Sequence, residues 1–187
     1  MKPIKQIFLF GAVLFLSSAA QAADGKLVIE PLYGVETALV RFPEPARYIT
    51  RGTFGARVLY GVTLLSGELE YTEAHSNESY PGSNQKVEDK SQRLGVGIRS
   101  TVAIGNSLGI YARLGGRATQ GNSKVTTAGV SENHEDPLHV NPYAGAGLQF
   151  AFASSLALNA GVTMIQNAED KYDKQYTLGL TARFGNL

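Results

Sequence analysis

Tyr176-Thr177-Leu178-Gly179-Leu180-Thr181-Ala182-Arg183-Phe184 sets Tyr176, Leu178, Leu180, Ala182 and Phe184 on one parity and Thr177, Gly179, Thr181 and Arg183 on the other. A period of two is that of a β-strand with two unlike faces. Working back from this stretch, seven more segments repeat the pattern. In the first, over about Leu27 to Leu39, Leu27, Ile29, Tyr33, Val35 and Leu39 oppose Glu30, Gly34 and Glu36. The second, about Arg51 to Tyr60, sets Phe54, Ala56, Val58 and Tyr60 against Gly55 and Arg57; in the third Leu65, Leu69 and Tyr71 oppose Ser66, Glu68, Glu70 and Thr72. The fourth carries Leu94, Val96 and Ile98 against Arg93, Gly95, Gly97 and Arg99, and the fifth Leu108, Ile110, Ala112 and Leu114 against Tyr111, Arg113, Gly115 and Arg117. The sixth opposes Ala144, Ala146, Leu148 and Phe150 to Tyr143, Gly145, Gly147 and Gln149. The seventh opposes Leu156, Leu158, Ala160, Val162 and Met164 to Asn159, Gly161 and Thr163.

The connections alternate as well. Tight turns are expected after the second, fourth and sixth strands, near Gly61, Ile104–Ser107 and Ala153–Ser155. Polar and mostly long loops are expected after the others, at Arg41–Thr50, His75 to about Lys90, about Gly121 to Asp136, and Asn167–Lys174. Short turns thus gather at one rim and long loops at the other, with both chain ends on the short-turn side.

Upstream, Lys2 and Lys5, an apolar run from Ile7 to Leu16 and Ala20-Gln21-Ala22 have the order of a secretory signal peptide over residues 1–22. The run is too short to cross a hydrocarbon core of roughly 30 Å. Removing this 22-residue leader from the 187-residue chain leaves a single expected domain, 23–187, and turns the formal charge from +1 to −1 through loss of two lysines. The absence of cysteine excludes disulfides, thiolate nucleophiles and cysteine metal sites. Near-neutral charge with no basic face argues against a nucleic-acid partner.

Alternation alone fits a soluble barrel as well as a membrane one. The basic residues discriminate. Lys26, Lys86, Lys90, Lys124, Lys171 and Lys174 fall in loops or at strand margins, whereas Arg57, Arg93, Arg99, Arg113, Arg117 and Arg183 fall within strands. A hydrated outer wall would use lysine freely; a narrow lumen favours the planar fork of arginine paired with carboxylates. The expected fold is all-β: a closed antiparallel eight-stranded up-and-down transmembrane β-barrel. At eight strands the interior is just wide enough for side chains to fill. A network of Glu30, Glu36, Arg57, Glu68, Glu70, Arg93, Arg99, Tyr111, Arg113, Arg117, Gln149 and Arg183 is therefore expected inside. It has more arginines than glutamates, a surplus for water, loop carboxylates or a bound anion to meet.

Ile29-Glu30-Pro31-Leu32-Tyr33-Gly34, Asn141-Pro142-Tyr143-Ala144-Gly145-Ala146-Gly147 and the closing Tyr176–Phe184 strand resemble the small eight-stranded outer-membrane barrel superfamily, of the OmpA transmembrane-domain and OmpX kind. The resemblance spans the region after the leader. It implies a cell outer-membrane location and a final aromatic residue read by the barrel-assembly machinery. Here Phe184 is followed by Gly185-Asn186-Leu187, a departure from that signal. Pro31 and Pro142 each remove a ladder donor and are expected near strand ends or bulges.

For activity, barrel lipid A deacylases pair a histidine with a serine two residues on, and His139-Val140-Asn141 has asparagine there. His75 and Ser76 are adjacent and point apart. Glu132-Asn133-His134-Glu135-Asp136 matches no metal-ligand spacing and reads as a solvated loop. Neither a catalytic residue nor a cofactor is expected. Arg41, Arg47 and Arg51, beside Phe42 and Tyr48, are candidate contacts for lipopolysaccharide phosphates. The reading is a non-enzymatic, monomeric integral outer-membrane protein. Its role is structural or in surface interaction, with an extracellular ligand held by loops at about 75–90 and 121–136. A narrow channel for small solutes is the alternative, followed by a soluble periplasmic ligand-binding barrel and a lipid A-modifying enzyme.

Overall fold

The alternation that runs to Phe184 brings the two ends of the chain together: Leu27 lies opposite Phe184 and Val35 opposite Tyr176. The computed structural model describes residues 25–80, 82, 84–167 and 171–184. The leader expected at 1–22 and the tail 185–187 lie outside the described residues. Eight strands follow in chain order: β1 (Lys26–Val40), β2 (Arg47–Val62), β3 (Leu65–Tyr80), β4 (Gln85–Ile104), β5 (Leu108–Thr127), β6 (Val130–Ala151), β7 (Leu156–Gln166) and β8 (Tyr172–Phe184). Each pairs antiparallel with the next, and β8 pairs with β1 to close the barrel.

The apolar parity faces outward. Val96, Leu114, Leu148 and Leu178 are each more than half exposed on the outer wall. So continuous an apolar surface requires a lipid environment around it. The polar parity faces the bore, where glycines make room for rings. A Cβ on Gly97 would collide with the Tyr143 hydroxyl, and one on Gly161 with the Tyr111 hydroxyl.

Two expectations about connections are corrected. The stretches 75–90 and 121–136 are not long loops. β3 and β4 continue to a short link at 81–84, and β5 and β6 continue to a two-residue turn in which Ala128 and Gly129 both take positive φ, 50° and 88°. The cause is the solvent. Beyond the lipid neither face of a strand meets hydrocarbon, so both carry Ser, Asn, Lys and Glu, and the apolar period disappears while the hydrogen-bonded ladder continues. β2 likewise begins at Arg47, inside the expected first loop.

The outcome is an uneven rim. β6 pairs with β7 only from Tyr143 to Ala151, so among the described residues Val130 to Pro142 have β5 as their single ladder partner, while His134 stacks on Phe42 and Asp136, His139 and Asn141 border the mouth of the bore. That overhang runs roughly 40 Å along the strand. A register shift opposite Thr119–Gly121 places an extra β6 residue around Pro137, where a missing N–H does least harm. Pro142 sits where the β7 ladder stops. Pro31, expected near a strand end, is instead inside β1, and the β1–β8 ladder skips Glu30 and Pro31.

Candidate functional site

Every strand except β6 and β7 contributes a charged side chain to the bore, because residues two apart on a strand share a face. On the side of the short turns, Glu30 accepts from Arg57 Nη1 at 2.5 Å, Arg99 Nη1 at 3.0 Å, Asn159 Nδ2 at 2.7 Å and Thr181 Oγ1 at 3.0 Å. The Arg99 guanidinium lies 3.8 Å from the centroid of the Tyr111 ring. At mid-height Glu70 meets three arginines: Arg57 Nη2 at 2.6 Å, Arg113 Nη1 at 2.8 Å and Arg117 Nη2 at 2.6 Å. Beside it Glu68 pairs with Arg113 Nη2 at 2.5 Å and accepts from the Tyr143 hydroxyl at 3.0 Å. The Tyr143 ring is faced by both Arg113 and Arg117. Toward the outer rim Glu36 holds Arg93 through both carboxylate oxygens and Arg51 at 3.0 Å, while Asp89 takes Arg51 at 2.5 Å and the Ser123 hydroxyl at 2.7 Å.

These groups are almost fully removed from solvent: Arg57 and Arg117 are 1% exposed, Glu30 and Glu68 0%. Taking charges from water costs several kcal/mol per ion unless partners repay it, so sharing each carboxylate between arginines is the stabilising arrangement. The remaining expected members lie lower, where half-buried Arg183 donates to Gln149 Oε1 at 2.9 Å.

The bore also holds residues that the sequence reading leaves out. Asp89 and Ser123 fell in expected loops, and Asn159, Gln175 and Thr181 have no charge to mark them. Gln175 shares the parity of Thr177 and accepts from Arg117 at 2.8 Å. Arg51 requires a correction. The sequence places it with Arg41 and Arg47 as a lipopolysaccharide contact, yet it is 7% exposed and paired to Glu36 and Asp89. Arg51 shares the inward parity of Thr53, Gly55 and Arg57, and the expected second strand already includes it, so its side chain enters the bore. Arg47 is half-buried against Glu78 at 3.1 Å, and Arg41 is exposed at the outer mouth.

His139 lies at the same mouth, exposed, with Nδ1 3.1 Å from the Pro137 carbonyl oxygen. His75 stacks on Phe54 and His134 on Phe42. Among the described residues no three metal-ligating side chains converge.

The network divides the interior. Above it, a cavity of about 320 Å³ opens at the outer rim, with Ser91, Arg93 and Arg117 among its walls. Below it, a space of about 50 Å³ lies against Arg99, Gln149 and Arg183.

A closed eight-stranded barrel with an apolar outside and a charged, filled inside defines an integral outer-membrane barrel. Residues 7–184 match the model of the outer membrane protein beta-barrel domain, and the chain belongs to that family. No curated protein matches the chain. Among solved structures it is similar to Ail, the attachment invasion locus protein of Yersinia pestis, in complex with the heparin analogue sucrose octasulfate: 18% identity, 86% of this chain and 99% of that one, TM-score 0.59. It is also similar to the N-terminal β-barrel domain of Pseudomonas aeruginosa OprF (16% identity, 85% and 97% covered, TM-score 0.57) and to Neisserial surface protein A (12%, 85% and 97%, 0.55). At these identities the likeness concerns the fold.

Proposed function

We propose that the protein is a non-conducting outer-membrane barrel that works through its overhanging outer sheet, taking up an extended segment of a partner along the free edge of β6. The observation that carries this reading is the stretch Val130–Pro142, which is laddered to β5 on one edge and, among the described residues, has no strand partner on the β7 side. An open edge offers N–H and C=O groups to another strand, and main-chain pairing supplies affinity without a preformed pocket. The stretch contains Glu132, Glu135 and Asp136 and neither lysine nor arginine, so the complementary segment is basic. Exposed Val130, Leu138 and Val140 add apolar contact. The filled bore supports the same reading, since a path for solute would have to break charge pairs buried from solvent. Exposed Arg41 and half-buried Arg47 flank the mouth and complete the proposal as contacts for lipopolysaccharide phosphates.

The test is hydrogen exchange on the purified barrel in nanodiscs, with a synthetic peptide alternating lysine and valine and a glutamate–valine counterpart. Slowed exchange confined to 130–142 with the basic peptide alone is expected. Equal response to both peptides, or none at this edge, contradicts the proposal.

A further inference from the structure

Among the described residues the bore holds six buried arginines (Arg51, Arg57, Arg93, Arg99, Arg113 and Arg117) and five buried carboxylates (Glu30, Glu36, Glu68, Glu70 and Asp89). The ion pairs divide them into two groups. Toward the rim, Arg51 and Arg93 are matched by Glu36 and Asp89. Deeper, Arg57, Arg99, Arg113 and Arg117 share Glu30, Glu68 and Glu70. One positive charge is left over in the deeper group. Arg57 also reaches Glu30 and Glu68, and Arg113 also reaches Glu68. Arg117 has only Glu70, which already serves the other two. Arg99 likewise has only Glu30, shared with Arg57, but its other amino group donates to Asn159 and its face lies on the Tyr111 ring; Arg117 is the one of the two left with unused donors.

Arg117 is also the member of that group that borders the outer cavity. Its Nε and Nη1 are buried without a hydrogen-bond partner, as is the hydroxyl of Ser91 in the same wall. A buried cation with unused donors at the end of a cavity is a costly arrangement that an anion relieves. The same cavity is lined by carboxylates, Asp136 on β6 beside the strand that carries Arg117 and Asp173 on β8, which repel a dianion and accept hydrogen bonds from hydroxyl or ammonium groups. The volume lies at the lower end of the range for small-molecule sites.

We propose that the outer cavity is a binding site for a small organic monocarboxylate bearing hydroxyl or ammonium donors, its carboxylate directed at Arg117 and its donors at Asp136 and Asp173. The charged layer beneath makes it a cup rather than an entrance. This assignment is independent of what the β6 edge binds.

The experiment follows the Arg117 guanidinium by ¹⁵N NMR on the barrel in nanodiscs, with D-glucuronate as probe, methyl glucoside as the neutral control, and sulfate and chloride as simple anions. A saturable shift with glucuronate alone is expected. Binding measured by calorimetry falls roughly tenfold or more in Arg117→Gln, the loss of one charge-assisted hydrogen bond. It falls equally in Thr119→Phe, which fills the cavity and leaves every charge in place. Arg117→Gln relieves the surplus and so folds; heat-modifiable migration on gels checks this for both variants. No saturable shift, equal shifts with sulfate or chloride (an adventitious ion only), or unchanged affinity in Thr119→Phe overturns the assignment.

Discussion

Glu70→Gln removes the carboxylate on which three arginines converge while keeping the side chain's shape. In the native bore Glu70 is 1% exposed and lies within 2.8 Å of Arg57, Arg113 and Arg117. Breaking a buried pair costs about 3–5 kcal/mol because it leaves an uncompensated charge. Here Arg57 and Arg113 fall back on Glu30 and Glu68, whereas Arg117 loses its sole carboxylate. The glutamine amide also turns a donor toward guanidinium groups that can only donate. The expected loss is at the upper part of that range. Adding Arg117→Gln removes the stranded cation, so the double variant recovers a large share, with a coupling of about 1–3 kcal/mol between the two sites. The assay is urea unfolding in lipid vesicles followed by the heat-modifiable gel shift, since the chain has no tryptophan for fluorescence. A Glu70→Gln barrel within about 0.5 kcal/mol of the parent, or a double variant as unstable as the sum of the singles, refutes the reasoning.

Other outcomes follow from the same geometry. Leu178→Arg, on the outer wall and 58% exposed, costs about 2–4 kcal/mol in urea unfolding from bilayers. Val140→Arg, 70% exposed on the overhang, leaves the midpoint unchanged, and the contrast marks where lipid ends. Gly161→Ala places a methyl against the Tyr111 hydroxyl and lowers stability by about 1–3 kcal/mol. Tyr111→Phe in the same chain restores part of it, as thermal melting by circular dichroism will show. The paired rim group holds Arg51 at one fixed geometry, so Asp89→Asn weakens the barrel by about 3–5 kcal/mol, read by the same gel shift.

The wall of the barrel was legible because lipid imposes a period on it. Leu178 and Thr177 differ in kind since one meets hydrocarbon and the other the bore. Above the lipid that pressure ends, and Ser76-Asn77-Glu78 continues β3 without any apolar beat to reveal it. Asp89 and Ser123 were lost with the same strand extensions, although Asp89 shares the parity of Arg93 and a longer β4 would have placed it inside. Arg51 shows the reverse error: a cluster of basic residues in sequence suggests a common surface role with Arg41 and Arg47, whereas its parity with Arg57 decides its direction. Parity fixes a face but not a register. That Arg117 on β5 meets Glu70 on β3 depends on where each hairpin turns, and no local signal in either strand carries that information. The free edge of β6 was invisible for the same reason, because it follows from the lengths of β5 and β7 relative to β6.

The central claim is a closed outer-membrane barrel whose bore is sealed by its own ion pairs. Single-channel recording in planar bilayers tests it most directly. The account predicts a silent baseline for the native chain under conditions where the gel shift shows it folded and inserted. Steady, discrete openings of the folded native barrel would contradict it.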